Sequence, residues 1–254
     1  MPSTVYSLEC RAVTRRFGSR TSLDGVDLRA RPGTVTALLG SNGAGKTTLM
    51  KILATLLLPT SGQATICGRD VVADPRGTRA RMGFVPSEER SFHWRLTVRQ
   101  NLDFFAALYG LPRKVAADRV DGHLAALHLL DRADTRFGEL STGMKQCLGI
   151  IRGLLHDPEV ILLDEPTRSL SPDLARIVTQ LLRDLAEREG RTILFATHNL
   201  QEAQSASHAV AILHRGRIQA CGAPETLFQD LALEGPPTLE AIFHALTQTA
   251  GAQP

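Results

Sequence analysis

"LLGSNGAGKTTLMKIL", Leu38 to Leu53, sets three glycines and a lysine between an apolar run and a helix-like stretch, and its reading decides the fold. Gly40 to Thr47 fits GxxxxGKT, preceded by the strand-like "TVTALL" and followed by the helical "TTLMKIL". That context separates a phosphate-gripping loop from a chance glycine turn. Glycines let the chain turn tightly and bring backbone N–H groups against phosphate oxygens, and the helix N-terminus adds its positive dipole. The stretch Gly40, Ser41, Asn42, Gly43, Ala44, Gly45, Lys46, Thr47 and Thr48 is therefore expected to bind a nucleotide, with Lys46 on the β- and γ-phosphates and Thr47 on magnesium.

A second segment supplies the partner chemistry. In "VILLDE" an apolar strand ends at Asp164, which would hold magnesium through its water shell, and Glu165 follows, able to polarise an attacking water. Two adjacent carboxylates after a strand are by themselves an ordinary solvated loop. Beside a phosphate loop they point to hydrolysis. A guanine-reading NKxD is absent, so ATP is the expected nucleotide.

Around these motifs the chain reads as alternating α and β. Strands are expected at Ser7 to Val13, Thr34 to Leu39, Met82 to Pro86, Val160 to Leu163, Thr192 to Ala196 and Ala209 to Leu213. Continuous apolar runs such as "TILFAT" suit parallel strands covered on both faces. Between about Thr97 and His156 the pattern turns helical, with Leu102, Phe105 and Leu108 on one face and Val120, Leu124, Leu127 and Leu130 on another. The first thirty residues and the stretch from Gly62 to Asp70 read as short strands of an antiparallel layer.

Composition agrees with a folded chain. With 254 residues, 43% hydrophobic and 22% charged, it can bury a large core and is not a disordered or fibrous sequence. A net charge of +3 with scattered arginines neither indicates nor excludes a nucleic-acid partner, and none is expected; four widely spaced cysteines suggest neither a zinc motif nor a disulfide framework. The longest apolar run, Ile52 to Leu58, is roughly a third of the ~20 residues a bilayer-spanning helix needs. The N-terminus lacks the apolar core of a signal peptide, so the expected location is the cytoplasm.

With "LSTGMKQ" at Leu140 to Gln146 and "ATHN" at Ala196 to Asn199, the set of motifs resembles the nucleotide-binding subunit of ABC transporters over almost the whole chain. The wording of "LSTGMKQ" and of Glu89 to Leu111 is most like cassettes of bacterial exporters for drugs, lipids or polysaccharides. The resemblance implies a P-loop NTPase (RecA-like) α/β core with an antiparallel β layer and an inserted α-helical subdomain. It divides one ABC ATPase domain, 1–254, into the β layer with the phosphate-loop part of the core (1–90), the helical signature subdomain (91–156), the second part of the core (157–230) and a C-terminal helix and tail (231–254).

The same resemblance assigns further roles. Ser141, Thr142, Gly143 and Met144 would face the γ-phosphate held by the opposite subunit, although "LSTG" read alone is a helix cap. His198 would contact the γ-phosphate and link it to Glu165, and Phe17 would stack on adenine, although an isolated Phe equally suits a core. It further implies a homodimer or a pairing with a related ATPase subunit, ATP and Mg2+ as cofactors, and a transmembrane permease on a separate chain. The protein would then lie peripherally on the inner face of the membrane, touching it only through the permease. Phe92 and Trp94, in the docking stretch, are either interface anchors or packing for the helices.

Three places depart from the family pattern. Ser87, followed by Glu88 and Glu89, stands where a magnesium-reaching glutamine is usual; Thr142 and Met144 replace a glycine and a glutamine; and Ser171 replaces an aspartate that contacts the opposite phosphate loop. Two other functions stand beside transport: a soluble ABC ATPase outside transport, and a weakly active regulatory nucleotide-binding module, which the Ser87 and Ser171 departures keep open.

Overall fold

A computed structural model describes residues 6–88, 91–233 and 238–248. Glu89 and the tail beyond 248 lie outside the described residues.

Among the described residues ten strands form two sheets. In the smaller, β1 (Leu8–Phe17), β2 (Arg20–Ala30), β4 (Ser61–Ile66) and β5 (Arg69–Asp70) run antiparallel in the order β2-β1-β4-β5. The larger sheet has the order β10-β9-β3-β8-β7-β6, built from β3 (Val35–Leu39), β6 (Met82–Val85), β7 (Val160–Asp164), β8 (Thr192–Thr197), β9 (Ala209–His214) and β10 (Arg217–Gly222). All its pairs are parallel except the β9–β10 hairpin.

Helices occupy both sides: α1 (Lys46–Leu53), α2 (Pro75–Ala80), α3 (Val98–Leu108), α4 (Arg113–Ala126), α5 (Thr142–Leu154), α6 (Pro172–Glu189), α7 (Leu200–Ala206), α8 (Pro224–Asp230) and α9 (Leu239–Gln248). The starts follow from local sequence. Thr97 and Gln100 form a reciprocal capping box at α3, and Ser141, Ser171 and Asn199 cap α5, α6 and α7.

The parallel sheet divides the core. Along β7 and β8, Ile161, Leu163, Ile193 and Phe195 face one apolar cluster, while Val160, Leu162, Leu194 and Ala196 face the other. The second cluster holds α1 between the parallel sheet and the antiparallel layer, through Leu49, Met50, Ile52 and Leu53. The first runs without a break from the sheet into Leu102 of α3, Val120 of α4 and Ile151 of α5. Every side chain on the central strands is buried, which is why they read as continuous apolar runs rather than alternating ones. Each such Leu or Ile contributes about 1.5–3 kcal/mol by leaving water.

Two expected core positions fall elsewhere. Leu108 and Leu130 are 67% and 46% exposed, because α3 is giving way to the turn at Tyr109–Gly110 and Leu130 sits in a one-turn 3-10 segment after α4. β1 also continues four residues beyond the expected Val13, with register shifts against β2 that break its alternation.

Register sets the site. Leu39 pairs with Thr197 and Asp164 with Ala196, so the carboxyl ends of β3, β7 and β8 finish side by side. In open α/β sheets ligands collect at such ends.

Candidate functional site

The phosphate loop spans the gap from β3 to α1. Gly45 takes the position before α1 with φ +113, and a Cβ there would lie 2.7 Å from the Ser22 carbonyl oxygen and 2.8 Å from Leu23. A Cβ on Gly40 would come within 2.4 Å of the Leu213 carbonyl oxygen. Both positions therefore require glycine. No side chain caps α1, so its first N–H groups remain available to an anion.

Lys46 is buried and folds back over the loop, its Nζ donating to the carbonyls of Gly40 (2.7 Å) and Ser41 (3.2 Å) and lying 3.9 Å from Glu165 Oε1. Burial lowers its pKa, with Glu165 and Asp164 opposing that shift. Thr47 donates its hydroxyl to Asp164 Oδ2 at 2.9 Å. Asp164 is 2% exposed and burial raises its pKa, while its Oδ1 is buried with no hydrogen-bond partner. A hydroxyl, a carboxylate and an orphaned carboxylate oxygen make a donor set suited to a hard divalent cation.

Glu165 has φ +55, a left-handed conformation that costs a non-glycine residue about 1–3 kcal/mol. Its amide donates to the Ala196 carbonyl at 2.9 Å, and its carboxylate lies 2.8–2.9 Å from His198 Nδ1. The turn thus aims Glu165 across the strand ends toward Lys46 and His198. A cleft of about 460 Å³ gathers Ser41, Asn42, Gly43, Gly45, Lys46, Thr47 and Thr48 with Asp164, Glu165 and His198. Gly40 and Ala44 complete the loop behind it.

Not every expected residue joins this cleft. Phe17 is 46% exposed at the β1–β2 turn, with the Arg15 guanidinium 4.5 Å from its ring centroid, and does not line the cleft. Arg20, Ser22, Ser87 and Arg168 do, and Ser22 Oγ lies 2.9 Å from Thr48 Oγ1. Arg20 and Ser22 belong to β2, whose position over the loop is tied by Asp24 N–H to Gly216 carbonyl and Gly216 N–H to Ala44 carbonyl. No local pattern announces that long-range contact.

Ser141, Thr142, Gly143 and Met144 also stand apart from the cleft. Ser141 Oγ accepts the Met144 amide at 3.2 Å, so the signature turn is a capped helix start, with Ser141 and Thr142 exposed. A Cβ on Gly143 would lie 3.2 Å from the Ser169 carbonyl oxygen, which places this turn against the loop leading to Ser171. Ser171 in turn caps α6, accepting the Leu174 amide at 3.4 Å.

The segment approaching the signature is fastened to the one after Ser87. Phe137 and Gly138 donate their amides to the carbonyls of Leu96 and Trp94, and Phe92 stacks on Phe137 at 4.8 Å. Lys145, in the first turns of α5, holds its Nζ 4.4 Å from the Trp94 ring centroid. Trp94 itself is 64% exposed, and Phe104, Leu108 and Tyr109 add further exposed apolar surface nearby in sequence. Among the described residues no helix is long and apolar enough to cross a membrane.

Residues 23–168 match the family described as ABC transporter. The chain is 38% identical over 226 residues, 89% of its length and 74% of the relative's, to the Nod factor export ATP-binding protein I of Burkholderia pseudomallei (strain 1710b). It is 37% identical over 204 residues, 80% of its length and 82% of the relative's, to the ABC transporter ATP-binding protein NatA of Bacillus subtilis (strain 168). Among solved structures it superposes with TM-score 0.86 at 27% identity on an ATP-binding subunit of an ABC transporter, covering 94% of this chain and 98% of that one. The TM-score is 0.79 at 28% identity for cbiO1 from Clostridium perfringens, part of the ABC transporter complex cbiONQ, with 89% and 91% covered.

Proposed function

The chain belongs to the ABC transporter family, as an ATP-binding subunit whose ATP hydrolysis is coupled to transport, and from that premise we propose how its residues divide the work. Subunits of this kind work with a transmembrane partner. The observation that carries the assignment is the convergence of Lys46, Asp164, Glu165 and His198 on one cleft beside a glycine loop.

In this reading the uncapped N–H groups of α1 and the loop amides of residues 40–45 receive the β- and γ-phosphates. Lys46 turns from the carbonyls of Gly40 and Ser41 to the incoming anion, exchanging neutral acceptors for charged ones. Thr47 and Asp164 would hold Mg2+, directly or through water, which when bound neutralises charge on the phosphates. Glu165 orients and accepts a proton from the attacking water, and His198, 2.8–2.9 Å away, fixes the carboxylate and reaches the γ-phosphate. Ser87 lines the cleft but is too short to replace the usual glutamine directly, so a water or Glu88 takes that contact.

Ser141, Thr142, Gly143 and Met144 serve the ATP of an opposite subunit, either a second copy of this chain or a related ATPase. Their distance from the cleft of their own chain and their exposed turn support that division. Phe17, exposed at the rim turn, is left as the adenine-stacking surface. Export is favoured by the name of the Nod factor export relative. Location follows from partnership: a peripheral subunit on the cytoplasmic side of the membrane, attached through its permease.

The test is Glu165→Gln in the purified chain. Turnover is expected to fall by about 10²–10⁴ while ATP is still bound. Undiminished hydrolysis would remove Glu165 from the role of base.

A further inference from the structure

Glu165 and His198 are carried on separate loops, after β7 and after β8, and their side chains meet although His198 is half exposed. Something must hold those loops in register. Two residues beyond Glu165, Thr167 donates its hydroxyl to Glu202 Oε1 at 2.7 Å; one residue before His198, Thr197 donates to Glu202 Oε2 at 2.6 Å. One carboxylate oxygen of Glu202 is thus committed to the loop of Glu165 and the other to the end of β8, which leads into the loop of His198.

The directions of these bonds are fixed by their surroundings. Thr197 is 1% exposed, and its Oγ1 already accepts the Asn199 amide at 3.0 Å, so its own proton is free to go to Glu202. Asn199 caps α7 through the amides of Gln201 and Glu202. Glu202 therefore occupies the third helical position, where a glutamate ordinarily turns back to the amide of the cap residue. Here that amide is occupied by Thr197, and the carboxylate reaches across to both loops instead. Burial raises the Glu202 pKa, the two hydroxyl bonds oppose the shift, and nearby Glu165 adds to it. Glu202 does not line the phosphate cleft. It lines a neighbouring groove of about 1160 Å³, together with Thr167 and Thr197, and that groove shares Glu165, Arg168 and His198 with the cleft.

We propose that Glu202 is a positioning residue for hydrolysis, clamping the loop of Glu165 to the loop of His198 through Thr167 and Thr197. The inference rests on the roles given above to Glu165 and His198. It assigns Glu202 no contact with ATP. Its loss shifts the two side chains relative to each other and to the attacking water, and misplacement on the ångström scale is enough to cost about 10² in rate.

The experiment compares Glu202→Ala, Glu202→Gln, Thr167→Val and the Glu202→Ala/Thr167→Val double variant in the full purified chain, scoring kcat, KM for ATP, ATP affinity and folded fraction. Glu202→Ala is expected to lower kcat about 10- to 100-fold per folded molecule, with KM and ATP affinity within about twofold. Glutamine can accept from one threonine and donate to the other, so Glu202→Gln should recover kcat to within about fivefold of the parent. The double variant should be no slower than Glu202→Ala alone, because both changes open the same clamp.

Unchanged kcat per folded molecule in Glu202→Ala would overturn the proposal, as would multiplying effects in the double variant or equal losses in ATP binding and turnover. If Glu202→Ala does not fold, Glu202→Gln and Thr167→Val decide: parent-level kcat in Thr167→Val sinks the clamp. Glu165→Gln, measured in parallel, tests the underlying reading separately. Full turnover there removes the base and the clamp with it, whereas lost turnover there beside an unaffected Glu202→Ala removes only the clamp.

Discussion

The cleft at the strand ends and the signature turn at Ser141 handle their polar atoms in opposite ways. In the cleft, Lys46, Thr47, Asp164, Glu165 and His198 come from three separate stretches of chain and bond to one another across the fold. At the signature, the bonds of Ser141 among the described residues stay within its own helix turn, its Oγ accepting the Met144 amide and its carbonyl the Lys145 amide, and it faces outward beside an exposed Thr142. One region is assembled by folding. The other has a finished local structure and gains a target only when another surface is brought to it.

The contrast concerns surfaces alone, since both regions stand on the same apolar cluster. Leu163 under the cleft and Leu102 in α3 are fully buried parts of it. Truncating either to alanine should cost about 2–5 kcal/mol, and denaturant melts should show one cooperative transition in both variants. Two transitions in Leu102→Ala would break the picture of a shared core.

A smaller effect is expected at the signature. Ser141→Ala removes one cap bond and should cost about 1 kcal/mol of stability, leaving the ATP affinity of dilute protein unchanged. A loss of ATP binding by the isolated chain would mean that the two regions are not as separate as their geometry indicates.

A pH-dependent effect is expected in the helices away from both surfaces. His156, after α5, stacks on Tyr109 with ring centroids 4.3 Å apart, lies 3.1 Å from the Met82 carbonyl oxygen through Nε2, and has a buried Nδ1 without a partner. Burial holds its pKa below the ordinary 6.5, as burial also does for His123 in α4. The unfolded chain then binds more protons than the folded one. The stabilisation from these neutral rings is complete above about pH 6.5 and is lost as pH falls from there toward the depressed folded values, at up to about 1.4 kcal/mol per pH unit for each ring. Urea melts at pH 7.5, 6 and 5 should show the decline, and His156→Gln should flatten it. An unchanged slope would remove His156 as a contributor.

The parts of the fold legible in the sequence were those with local causes. GxxxxGKT marks its loop because glycine is required at Gly40 and Gly45 by nearby backbone, and the central strands are visible because burial on both faces leaves them uniformly apolar. The antiparallel layer was blurred: bulges in β1 interrupt its alternation, so the sequence pattern stops at Val13 while the strand reaches Phe17. The cleft was legible in its loops and illegible in its walls. Arg20 and Ser22 arrive through a hairpin folded over the loop, and Phe17 on the same hairpin stays outside. The left-handed turn at Glu165 has no glycine to announce it. Glu202 was hidden for a different reason, since Asn199 followed by Glu202 reads as an ordinary capping pattern until Thr197 and Thr167 are seen to claim the carboxylate.

The stacking of Lys145 on Trp94 has one more consequence. Trp94 is the sole tryptophan of the chain, and a cation held 4.4 Å from its indole is fixed to the helix that begins at the signature. The protein therefore carries an optical gauge in its own sequence: with no label attached, the colour and intensity of its ultraviolet emission register how far that helix stands from the loop after Ser87.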